Sequence, residues 1–76
     1  MDQEVFNLEL RKFLKRFGVT AQREIEKAVA AAVQNGRIRG DEVLAVNATL
    51  EIPGLLPEFH IDGQISLAGE RPIGSP

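Results

Sequence analysis

The chain has 76 residues, 26% of them charged, a formal net charge of −2 and no cysteine. That length fits one small core. The missing cysteine removes disulfides and thiolate metal sites, and the slight acidity argues against broad attraction to nucleic acid or anionic membrane.

The opening MDQEVFNLEL lacks the basic segment and continuous apolar run of a secretory signal. The longest apolar run, Ala28 to Val33, falls far short of the ~20 residues that span a bilayer. The sequence therefore predicts a cytoplasmic protein with no membrane association.

From about 3 to 17, Phe6, Leu10, Phe13, Leu14 and Phe17 share an arc of roughly 100° when each residue advances about 100° around a helix. Asp2 is the expected N-cap and Glu4 suits the first turn. Gly18 is read as the stop, with Lys12, Lys15 and Arg16 favourably close to the helix end. A second helix, about 21–35, is predicted with Thr20 as its cap. Ile25, Ala28, Val29, Ala32 and Val33 form its apolar face, and Asn35-Gly36 stops it. The capping box is incomplete, because Arg23 stands where an acid or amide belongs. Alanines at 28, 30, 31 and 32 permit close approach of a neighbour, and the Phe-rich first helix is the expected one.

After a charged connection, Arg37 to Glu42, the residues Leu44, Val46, Ala48, Leu50 and Ile52 alternate with more polar positions. The pattern predicts a half-buried strand over about 43–52. A second strand, about 58–67, alternates Phe59, Ile61, Gly63, Ile65 and Leu67 against Glu58, His60, Asp62, Gln64 and Ser66. Pairing Ile52 with Phe59 would set Leu50 opposite Ile61 and Ala48 opposite Gly63, leaving a hollow for a Phe ring. Residues 69–76 read as a flexible tail beyond a single ααββ domain, 1–68. The expected fold is α+β, two helices on one face of an antiparallel hairpin.

Such a hairpin exposes two strand edges, and an isolated two-stranded sheet is marginal in water. A twofold dimer joining two hairpins into a four-stranded sheet would cover two of the four edges. Self-association through hairpin edges is thus the expected partnership.

Three sets of residues invite a functional reading. Glu58, His60 and Asp62, with Glu51 beside them, are of types that hold divalent metals. Yet side chains two apart on a strand lie roughly 7 Å from each other, and alternation alone puts polar residues there, so no metal site is assigned. The run RKFLKRFGVTAQREIEKAV has a helix-turn-helix look, and two following strands invite comparison with a winged helix. Arg11, Lys15, Arg23 and Lys27 are then the candidate nucleic-acid contacts, provided Glu24 and Glu26 do not interrupt them. In Pro53-Gly54-Leu55-Leu56-Pro57, Leu55 and Leu56 stand where polar residues are usual, as a core plug or a partner-docking site. An enzyme is not expected: Ser66 and Ser75 are the only serines, His60 the only histidine, and no glycine-rich phosphate loop precedes a helix. No cofactor is expected either.

The stretch Phe6 to Val29, followed by NGRIRGDE and an alternating hairpin, resembles a family of short uncharacterised bacterial proteins, a domain of unknown function. The resemblance covers nearly all of the chain but its tail and implies a free-standing small protein. It implies no function and no site residue. The leading expectation is a small non-enzymatic interaction or assembly module, and the alternative is a nucleic-acid-binding protein using the second helix.

Overall fold

The computed structural model describes residues 1–68, so the tail at 69–76 lies outside the described residues. Helix α1 runs Gln3–Gln34, strand β1 Val43–Ile52 and strand β2 Leu56–Ser66. The chain divides into a helical unit, Met1–Arg37, and a hairpin unit beginning at Ile38.

The first unit corrects the expectation of two helices at about 3–17 and 21–35: a single 32-residue helix passes straight through Gly18 and Thr20. A lone glycine costs a helix interior only about 1 kcal/mol. Ending a helix requires a residue in the left-handed region plus bonds to the last carbonyls. Gly18 is not among the positive-φ glycines. The two apolar stripes are also in phase. Phe6, Phe17 and Ala28 recur every 11 residues, as do Leu10, Ala21 and Ala32, and Leu14 with Ile25. Eleven residues make about three helical turns, so continuing the helix aligns both halves into one stripe.

The ends match the sequence reading. The Asp2 carboxylate accepts the N–H groups of Glu4 at 3.0 Å and Val5 at 3.1 Å, satisfying two of the orphan donors of the first turn. At the other end Gly36 adopts φ 82°. Its N–H donates to the Val33 carbonyl at 3.2 Å, and the Arg37 N–H to the Ala32 carbonyl at 2.9 Å. This pair of bonds is the Schellman motif. Asp2→Ala is expected to lower helix stability by about 1 kcal/mol, read as lost helicity by circular dichroism.

In the second unit β1 and β2 form a two-stranded antiparallel sheet. Its register also corrects the expected one: Leu50 pairs with Phe59, Ala48 with Ile61, and Val46 with Gly63. The anticipated hollow between Ala48 and Gly63 therefore does not form. The cause is the turn. The Leu55 N–H donates to the Ile52 carbonyl at 2.9 Å, closing Ile52-Pro53-Gly54-Leu55 with Gly54 at φ 83°. Proline at the second position and positive φ at the third define a type II turn. It is tighter than a loop from 53 to 57, so β2 starts at Leu56. A register irregularity between Leu50 and Ile52 then sets Pro57 and Glu58 against Glu51 alone. This is a β-bulge, and it is where a proline without an N–H is tolerated.

Among the described residues no side chain is buried, and Phe6, Leu10, Phe13, Leu14 and Phe17 are 42–49% exposed. Each unit has an apolar face that remains half open.

Candidate interaction surfaces

Helix α1 carries an apolar stripe and, across from it, a basic face. From Arg11 through Arg23 inclusive there are five basic residues and no acid. At about 100° per residue, Lys12, Arg16 and Arg23 fall opposite the stripe, and with Lys15, Val19 and Thr20 they line a shallow open groove. Because the helix continues past Gly18, Lys12, Lys15 and Arg16 lie in its middle and not at its carboxyl end. The helix dipole, which acts within the terminal turns, does not account for them. Of the four candidate contacts, Arg11, Lys15 and Arg23 share the acid-free segment. Lys27 is set apart, with its Nζ 3.3 Å from the Glu24 carboxylate, and Glu26 accepts the Gln22 amide at 3.1 Å. No turn separates two helices here, so the geometry of a helix-turn-helix is absent from residues 3–34.

On the hairpin one face presents Leu44, Val46, Leu50 and Ile52 opposite Ile65, Gly63, Phe59 and Leu56. The bulge brings Leu56 onto this face, while Leu55, at the turn, is 83% exposed. The two candidate docking leucines are thus parted into a strand residue and a turn tip.

The opposite face is polar. Thr49 pairs with His60, and their Oγ1 and Nδ1 atoms share a hydrogen bond of 3.0 Å. His60 Nε2 stands 4.0 Å from the Glu58 carboxylate. Asp62 lies opposite Asn47, and Glu51 sits at the bulge. Among the described residues no three His, Cys, Asp or Glu side chains converge as a metal site would require.

Within the hairpin unit, the turn that leads into β1 is organised by Glu42, a role the sequence reading did not find. Its carboxylate accepts the N–H groups of Arg39 at 2.8 Å and Gly40 at 2.9 Å, and its backbone carbonyl accepts the Leu67 N–H at 2.9 Å. Gly40 takes φ 106° to allow this. The bonds from Arg39 and Gly40 favour the charged carboxylate and hold Glu42 below the ordinary glutamate pKa. A pKa lowered in the folded state contributes stability above the unfolded value, lost as pH falls through the folded one. The amide resonances of Arg39 and Gly40 should therefore titrate together, below the usual glutamate range. Glu42→Gln should abolish that titration.

These surfaces define a small α+β chain of one amphipathic helix and one amphipathic hairpin, with no helix among the described residues long and apolar enough to cross a membrane. It belongs to DUF6494, a family of unknown function whose model matches residues 1–68. No curated protein and no solved structure matches the chain.

Proposed function

We propose that this chain is a small, non-enzymatic assembly module that self-associates by joining hairpin edges. The observation that carries this reading is the sheet itself, which among the described residues has two strands, both of them edges, and an apolar face that is only half covered. Unpaired edge groups are a template for a further strand. An isolated hairpin is marginal in water, so pairing with a second copy supplies what the hairpin lacks.

The backbone says which groups would pair. The Leu67 N–H donates to the Glu42 carbonyl, so by the alternation of antiparallel ladders the groups of Val43, Ala45, Asn47 and Thr49 face outward, as do those of His60, Asp62, Gln64 and Ser66. Proline at an outward position removes an edge donor and spares the hairpin's own bonds. Sedimentation equilibrium should find more than one chain per particle. Either Ala45→Pro, on the β1 edge, or Gln64→Pro, on the β2 edge, should weaken the association. A particle of one chain at high concentration, or association untouched by both substitutions, overturns the reading.

The acid-free basic segment favours a second reading, an anionic polymer such as nucleic acid along Arg11, Lys15 and Arg23. A salt-sensitive mobility shift with random-sequence DNA tests it, and absence of binding at low salt removes it.

A further inference from the structure

The stripe on α1 is unequal along its length. Its amino-terminal half is bulky, with Phe6, Leu10, Phe13 and Phe17, and its carboxyl-terminal half is mostly small, with Ala21, Ile25, Ala28 and Ala32. Within one continuous helix these halves cannot meet. The small end, which would admit a close neighbour, has no bulky partner in its own unit.

We infer that a second copy of this chain docks along the helix in antiparallel orientation, with the bulky half of each stripe filling the small half of the other. In an antiparallel pair, facing residues keep a constant sum of residue numbers. A sum of 38 sets Phe6 against Ala32 of the second copy, Leu10 against Ala28, Phe13 against Ile25 and Phe17 against Ala21, and the twofold repeats all four. Alternating large and small residues across facing positions is how helices interdigitate at native density. The 11-residue recurrence keeps the stripe in line with an almost straight helix, as a long contact requires.

Charge agrees with size. At about 100° per residue, Glu9 and Lys27 fall on one line beside the stripe, and in an antiparallel twofold that margin meets itself. Glu9 then lies within two residues of the level of Lys27 of the second copy, and the twofold repeats the pair. A parallel, in-register pair puts this margin on opposite sides of the seam in the two copies, so Glu9 and Lys27 do not meet, and it sets Phe against Phe and Ala against Ala. Antiparallel docking is favoured on both grounds. The contact uses the helix alone and is independent of hairpin-edge pairing.

The test is a coupling between residues that lie far apart in one chain. Leu10 and Ala28 are 18 positions apart on α1, about 27 Å at 1.5 Å per residue, too far for direct coupling within the helix. In the full chain, Leu10→Ala opens a cavity opposite Ala28, and Ala28→Leu overfills the space opposite Leu10. Each should raise the dimer Kd roughly tenfold or more, and the double variant should return it to within a few-fold of the parent. Both substitutions keep good helix formers, which circular dichroism checks. Independent losses in the double variant, or no loss in either single one, overturn the proposal.

Orientation is read separately. The sequence has no cysteine, so Gln34→Cys accepts a single spin label. The antiparallel pair separates the two labels by about 45 Å along the axis at 1.5 Å per residue, and a separation below about 30 Å overturns it. Association lost through Ala45→Pro or Gln64→Pro but unmoved by the helix variants upholds the hairpin reading and rejects this one. The converse rejects the hairpin reading alone.

Discussion

Gly18→Pro is expected to break α1 in the middle, at a cost of about 3 kcal/mol or more, while Gly18→Ala at the same position should stabilise it by about 1 kcal/mol. Proline removes the N–H that the helix needs at this position and drives its ring into the carbonyl of Leu14, four residues back. Alanine adds a methyl group where nothing lies within 4 Å and removes the entropy penalty of glycine. The pair of variants distinguishes the two architectures. Had Gly18 ended a first helix in the left-handed region, alanine there would destabilise by roughly 1–2 kcal/mol. Thermal melting followed by circular dichroism reads both. The continuous helix requires the alanine variant to melt higher and the proline variant to lose a large share of its helical signal.

The second large effect is expected at Gly54. Its φ of 83° lies where side chains are strained, and a Cβ there would meet nothing within 4 Å. Any penalty is therefore one of backbone conformation alone. Asn, which tolerates this region, should cost least, Ala more, and Val most, at roughly 1–3 kcal/mol. For a two-stranded sheet of marginal independent stability the upper figure is enough to melt the ladder. Cross-strand proximity of Leu50 and Phe59 by nuclear magnetic resonance, together with amide exchange along β1, measures the order Asn, Ala, Val. Equal effects of all three would mean that Gly54 does not hold the turn.

Both positions show how far the residues themselves could be read. Asp2, Asn35-Gly36 and the alternation in each strand were legible because each depends on near neighbours: a carboxylate three residues from the N–H it accepts, a glycine next to the carbonyls it helps close, side chains that change face every residue. The candidate contacts Arg11, Lys15, Arg23 and Lys27 were legible only as charges. Their placement depended on whether the chain turned at Gly18, and the pairing of Lys27 with Glu24 at 3.3 Å depended on the helix around it. Leu55 and Leu56 could not be told apart in the sequence, because the difference between them is one residue of turn length.

What the sequence by itself determined is which near neighbours share a face: the stripe from Phe6 to Phe17, the one from Ile25 to Val33, the apolar face from Leu44 to Ile52, and the caps at Asp2 and Asn35-Gly36. What only the folded structure decided is continuity and register. At Gly18 a penalty of about 1 kcal/mol is small beside the backbone bonds lost by turning, so composition alone does not reveal the winner. In the hairpin, Ile52 against Phe59 and Leu50 against Phe59 differ by two residues, and an even slip leaves every side chain on the same face. Periodicity is blind to that difference. The type II turn at Pro53-Gly54 and the bulge at Pro57 settle it through backbone geometry.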